Sequence, residues 1–246
     1  ASFSKDLMTN LSIWGQHVSI IALSDRSETY QYSSEVIFEI TEDKRDDYHI
    51  AAEFVNNADI DVVFIEHGYG IFGGDDGELV LDFAANLKKP FILNTHTVLP
   101  DPDHRQRGIL TKLGLKSLAV ACMSHRSALL MYKVYRIPRE KIVVVPHGVP
   151  IFEEKPRDAL KAAYGLENRP IITTFGFIGP GKGIELGIKA VASLKDKYPD
   201  IVYLVAGETH PNLKKRIGES YRESLVNLIE CLKMGKNIKF INRYTS

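Results

Sequence analysis

The chain has 246 residues, enough for two small domains or one large one with a substantial core, which excludes a disulfide-stapled miniprotein. Its 44% hydrophobic and 25% charged residues are those of a folded globular chain and exclude disorder as the main state. The 31 Lys plus Arg balance 31 Asp plus Glu, so no long-range field draws it to nucleic acid or anionic lipid; no nucleic-acid partner is expected, and a local basic patch or peripheral membrane contact stays open.

From the first residues Phe3, Leu7, Met8 and Leu11 recur at helical spacing. Short runs rich in Val, Ile and Phe then predict strands at 17–23, 36–40, 61–65, 91–95, 117–123 and 142–145, and a second set at 171–175, 201–206 and 238–241. Runs such as VVFI and IVVV are apolar without alternation, as expected of parallel strands covered on both faces by helices. Between the strands, the amphipathic run 79–87 follows Asp76-Gly77-Glu78 and is closed by Lys88, Lys89 and Pro90. Ser124 is placed to cap a helix over 125–135, which ends before Ile137-Pro138. The fold class is therefore α/β, doubly wound. Prolines 146, 150 and 156 interrupt the periodicity and set a boundary between domains 1–149 and 150–246.

No apolar run approaches the ~18 residues of a bilayer span, and no signal segment is visible, so no transmembrane segment and a cytoplasmic location are expected. Cys122 and Cys231 read as buried free thiols rather than a bridge.

Four strands of the first domain end in polar groups: Glu66-His67, Thr95-His96, Ser124-His125 and Pro146-His147. Open parallel sheets bind ligands outside the carboxyl ends of their strands, which makes these histidines site candidates, although a strand-end histidine also serves as a hydrogen-bonded structural residue. Their spacing is not that of paired zinc ligands and no cysteine stands near, so no metal is expected. Residues 68–77 hold five glycines between a strand and a helix, a turn open to a ligand or one that simply needs positive φ; Asp75 and Asp76 there favour sugar hydroxyls over an anion. A second glycine-rich turn, 176–183, joins a strand to a helix and carries Lys182, a combination of helix N-terminus and charge that suits phosphate or a plain strand-to-helix turn. It approaches a P-loop, but glycine follows Lys182 where the metal-binding hydroxyl belongs, and the strand 201–206 ends in Gly207 with no aspartate, which argues against a nucleoside triphosphatase. Gly207 opens a polar stretch to 223, and with Asn242 and Arg243 it stands at a strand end.

FGFIGPGKGIELGIKAV at 175–191, YLVAGETHP at 203–211 and IKFINRY at 238–244 together resemble the donor domain of family 4 glycosyltransferases. ILNTHT at 92–97, the strand–Ser–helix unit after it and VVVPHGVP at 143–150 resemble the acceptor-side domain of the same enzymes. The resemblance implies two facing Rossmann-like domains of GT-B type and transfer of a sugar from a UDP- or GDP-sugar donor to a glycan or lipid-linked acceptor. It further implies retention of configuration, no catalytic metal and no cofactor beyond the nucleotide-sugar itself. By resemblance Lys182 holds the donor diphosphate with Gly179, Gly181, Gly183, Gly207, Asn242 and Arg243 around it. His96 stands beside the transferred sugar, and His67, Gly73, Gly74 and His147 line the acceptor side or the cleft. Two departures are visible. Phe177 stands where many relatives carry a diphosphate-binding arginine, and the family's pair of glutamates lies beyond residue 246. With no opening strand and only three strands in the second domain, the chain reads as an internal fragment, expected to be inactive alone. A nucleotide-sugar epimerase of the same architecture and a noncatalytic nucleotide-binding relative are the alternatives. Oligomeric state is not read from the sequence.

Overall fold

A computed structural model describes residues 2–25, 30–149 and 153–242. The chain forms two compact units, Ala1–Pro150 and Ile151–Ser246.

The first unit opens with helix α1 (Ser2–Ile13), followed by β1 (Ile20–Ser24), β2 (Val36–Thr41) and α2 (Arg45–Asn57). Tyr48, Ala51, Ala52 and Val55 recur every three or four residues and form the buried stripe of α2, while Asp46 and Asp47 place negative charge in its first turn, where the helix dipole favours it. Then come β3 (Val63–His67), α3 (Val80–Asn86), β4 (Phe91–Thr95), α4 (His104–Lys116), β5 (Ala119–Cys122), α5 (His125–Lys133) and β6 (Ile142–Val144). Every strand pair is parallel, as the unbroken apolar runs imply. The six strands are hydrogen-bonded as two sets, β1-β2 and β3-β4-β5-β6. Phe91 and Leu93 of β4 pack with Ile65, Ile109, Leu110, Leu113 and Val120 in one core.

In the second unit α6 (Arg157–Ala163), β7 (Ile171–Phe175), α7 (Ile184–Leu194), β8 (Val202–Ala206), α8 (Pro211–Ile217), α9 (Ser220–Cys231) and β9 (Ile238–Ile241) form a parallel sheet of order β7-β8-β9. Central β8 is its most buried strand, and Tyr203 and Val205 pack with Ile184, Ile188 and Val191 of α7 and Leu225 and Ile229 of α9.

Parallel α/β architecture in both units matches the expected fold class, and each of the nine strands falls on a predicted run. The differences are local. The third strand begins and ends two residues later than its apolar run, because pairing with β4 continues through Glu66↔Asn94 and His67↔Thr95. Helix α5 stops at Lys133, two residues early. Cys122 is buried as expected, but Cys231 is exposed: α9 turns Leu225 and Ile229 inward, and its last residue faces solvent. No helix among the described residues is long and apolar enough to cross a membrane.

Candidate functional site

The first unit gathers its polar strand ends at the carboxyl edge of β3 and β4. In-register pairing sets Glu66 directly opposite Asn94, and since side chains alternate along a strand, His96 two residues on emerges on the same side. Glu66 Oε2 accepts from the Asn94 side-chain amide at 2.8 Å and contacts His96 Nε2 at 2.6 Å. Glu66 Oε1 is buried and has no hydrogen-bond partner among the described residues. Phe3 of α1 meets the His96 ring edge-on at 4.8 Å and the His147 ring at 6.0 Å, and the two imidazoles lie 6.5 Å apart. His96 and His147 are thus brought together, with His147 exposed just past β6.

His67 points the other way. It is 0% exposed, lies edge-on to Tyr69 at 5.1 Å, and neither ring nitrogen has a hydrogen-bond partner among the described residues. Burial, and secondarily the neighbouring His96, push its pKa down from 6.5 to about 4, so the ring is neutral at pH 7. Nearby Tyr69 shares a 3.2 Å hydroxyl contact with buried Tyr135, and burial raises its own pKa.

The 68–77 turn is held by the backbone it crosses. A methyl group at Gly73 would lie 1.9 Å from the Glu42 carbonyl oxygen, and the Gly73 N–H donates to Tyr48 Oη at 2.9 Å. Gly74 adopts positive φ. Asp75 pairs with Arg105, and Asp76 accepts from the Gln106 side chain at 3.1 Å. At the fourth strand end Ser124 Oγ accepts from the Ser127 N–H at 3.1 Å and caps α5.

In the second unit β7 runs into a single turn of 3-10 helix, Pro180–Lys182, and then α7. Gly179 precedes that turn, Gly181 lies within it, and Gly183 follows it in the left-handed region at φ 62°. The Lys182 N–H closes the turn on Gly179 O at 3.0 Å, so that donor is committed within the loop, while the Lys182 side chain is exposed and has no ion pair or hydrogen bond among the described residues. In the first turn of α7, Glu185 accepts from Tyr221 Oη at 2.6 Å; this bond and the Glu185 N–H lower the Glu185 pKa. Phe177 lies edge-on to His210 at 5.2 Å. The loops after β7 and β8 extend the sheet, with Ile178 N–H donating to Glu208 O at 2.8 Å and His210 N–H to Ile178 O at 3.1 Å. Gly207 sits at this join with φ 150°, and a methyl group there would lie 2.0 Å from Gly176 O. Asn242 is exposed just after β9, and Arg243 lies outside the described residues.

Glu66, Asn94 and Phe3 were not singled out as site residues from the sequence. Glu66 and Asn94 carried a signal, since both are polar residues near strand ends; Phe3 carried none beyond its place on a helix face.

Residues 156–245 match the family model described as glycosyl transferases group 1. Over 110 residues the chain is 30% identical to alpha-D-kanosaminyltransferase of Streptomyces kanamyceticus, covering 42% of this chain and 28% of the relative. Its fold resembles HepE of Anabaena, solved in complex with UDP and glucose, with TM-score 0.64, 16% identity and coverage of 86% of this chain and 57% of that one. A glycosyltransferase from Rickettsia africae aligns at TM-score 0.69 and 17% identity over 99% of this chain and 64% of its own. The chain thus spans 28% of the curated relative's length and less than two thirds of either solved structure. Residues 156–245 thus carry the group 1 glycosyltransferase match that their motifs led one to expect, and the parallel, Rossmann-like α/β fold is like that of these two solved structures.

Proposed function

We propose that the protein transfers a sugar from a nucleotide-sugar donor, a UDP- or GDP-sugar, to a glycan or lipid-linked acceptor, with retention and without a metal or other cofactor. The observation that carries this reading is the exposed, unpaired Lys182 on a glycine-rich turn at the start of α7, inside the family-matched segment. In such a reaction the bond from the anomeric carbon to the diphosphate oxygen breaks, its electron pair goes to the β-phosphate, an acceptor hydroxyl oxygen forms the new bond, and the hydroxyl's proton passes to the leaving diphosphate. Negative charge grows on the leaving diphosphate, and a fixed cation beside it stabilises the transition state more than the ground state. Lys182 has that role here. His96 serves the transferred sugar, and His147 lines the acceptor side with it. The UDP in the HepE complex supports a uridine nucleotide over a guanosine one. An epimerase is disfavoured because both the family match and the curated relative are transferases.

The test, made on the full-length protein, is calorimetry with UDP and GDP, followed by product analysis with UDP- and GDP-sugars with and without candidate acceptors, each with and without a chelator. Acceptor-dependent transfer that survives chelation is expected. Acceptor-independent isomerisation would install the epimerase reading, and nucleotide binding without turnover the noncatalytic one.

A further inference from the structure

We propose that Glu66 is the positioning residue of His96, fixing the imidazole as its Nε2–H tautomer and so presenting Nδ1 as a lone-pair nitrogen to a sugar hydroxyl. The inference rests on the reading of His96 as the residue beside the transferred sugar.

A neutral imidazole carries its proton on either nitrogen, and what each nitrogen faces decides which. His96 Nε2 faces a carboxylate oxygen at 2.6 Å, a short charge-assisted contact. An ionised carboxylate only accepts, so Nε2 must carry the hydrogen and Nδ1 must be bare in the neutral ring. Nδ1 has no partner among the described residues, and the His96 side chain is 26% exposed, which leaves this nitrogen for a ligand. The carboxylate is itself oriented: Asn94, opposite Glu66 in the β3–β4 register, donates to the same Oε2. Ring position is fixed from three more sides, by Phe3 edge-on, by His147, and by the His96 N–H bonded to His67 O at 3.0 Å. Glu66 Oε1 is buried with no donor among the described residues, so both side-chain contacts of the carboxylate, from Asn94 and His96, fall on Oε2.

The consequence for a substrate is specific. Bare Nδ1 accepts a hydrogen bond from a sugar hydroxyl, whereas the opposite tautomer would donate there and leave that hydroxyl's hydrogen without a partner.

The test uses Glu66→Gln in the full chain. An amide both accepts and donates, so it tolerates either tautomer of His96 where a carboxylate tolerates one. Nitrogen-15 NMR of histidine-labelled protein, with His96 assigned by loss of its signals in His96→Gln, should show a single Nε2–H tautomer in the wild type and appearance of Nδ1–H in Glu66→Gln. Pure Nε2–H in Glu66→Gln, or Nδ1–H in the wild type, overturns the proposal. Kinetics form the second arm: in the full-length enzyme kcat should fall several-fold, by no more than the roughly ten-fold expected of losing His96 itself, with donor KM unchanged, and an unchanged kcat with the tautomer released would remove the link to the hydroxyl. Should no sugar transfer be found at all, the proposed function fails while the NMR result still decides what Glu66 does to His96.

Discussion

The strand ends of the two units solve opposite problems. In the first unit, polar side chains at the ends of β3 and β4 are spent on one another: Asn94 and His96 converge on Glu66, while His67 is buried with no hydrogen-bond partner among the described residues. In the second unit the corresponding ends of β7 and β8 carry little side-chain chemistry and are joined through backbone, with one exposed lysine projecting from the turn. A site built from oriented side chains tolerates few changes of residue type. One built from backbone tolerates few additions of volume. The predictions separate these two kinds of dependence.

The largest effect should come from adding one methyl group where backbone meets backbone. Gly207→Ala forces a Cβ to 2.0 Å from Gly176 O at φ 150°, and Gly73→Ala forces one to 1.9 Å from Glu42 O. Neither neighbour is a flexible tip that can swing away, so each should cost about 3 kcal/mol or more. Urea denaturation followed in each unit reads the loss, and a change below about 0.5 kcal/mol in either variant would mean that the chain relaxes around the added group. Gly207→Ala should also part the loops after β7 and β8 and weaken nucleotide binding, while Gly73→Ala should leave nucleotide binding intact.

Buried His67 makes the first unit sensitive to acid. Its folded pKa of about 4 lies below the ordinary 6.5, chiefly through burial and secondarily through His96. Above about pH 6.5 both folded and unfolded forms are neutral and nothing is lost; between 6.5 and 4 the unfolded chain takes up a proton that the folded chain refuses. Stability should therefore fall on acidification through that window, by about 3 kcal/mol in all. Comparing denaturation midpoints of wild type and His67→Leu across that pH range isolates this group from His96 and the other titrating residues. Parallel profiles would show that His67 finds a proton acceptor in solution.

In the complete enzyme Lys182→Ala should lower kcat by roughly 10²-fold or more, since removing one preorganised charge donor typically costs that much, with no change in stability because the side chain is exposed and unpaired among the described residues. Near-normal kcat at saturating donor would refute its role. His96→Ala should reduce turnover by about ten-fold while nucleoside diphosphate affinity, read by calorimetry, stays level. A large loss of that affinity with unchanged kcat would move His96 to the nucleotide.

How much of this was legible follows the same division. Runs such as VVFI and IVVV mark buried parallel strands by composition alone, so all nine strands and both glycine-rich turns could be placed. The Lys182 turn was legible for the same reason, because its parts are contiguous. The Glu66–Asn94–His96 cluster was not: it depends on the register of β3 against β4, which joins residues 28 apart, and local spacing carries no register. His67 looked like a residue beyond the strand because the apolar run ends at Ile65, yet pairing with Thr95 carries the strand on and buries the ring. The 68–77 turn was read as open to a ligand or needing positive φ, with Gly73 lining the cleft by resemblance; the close approach of Gly73 to the carbonyl of Glu42, thirty-one residues earlier in the chain, was not legible. Phe3 against His96 is likewise a long-range contact.

The smallest predicted effect tests whether every polar strand end belongs to the chemistry. Ser124-His125 resembles Thr95-His96 and Pro146-His147 as a pattern, but the structure gives it a different task. Ser124 has extended backbone at φ −151°, and its Oγ accepts from the Ser127 N–H, satisfying one of the donors that a helix start leaves open. His125 is the first residue of α5 and makes no ring contact with His96 or His147 among the described residues. Ser124→Ala should therefore cost about 1 kcal/mol of stability in the first unit and leave kcat and donor KM unchanged, and Ser124→Asp, which restores an acceptor at the cap, should recover the loss. A fall in kcat with stability held by Ser124→Asp would bring this strand end into the site with the other three. Without such a fall, the end of β5 is a helix start, and the proposed sugar transfer rests in this unit on the polar residues that β3, β4 and β6 deliver to the neighbourhood of His96.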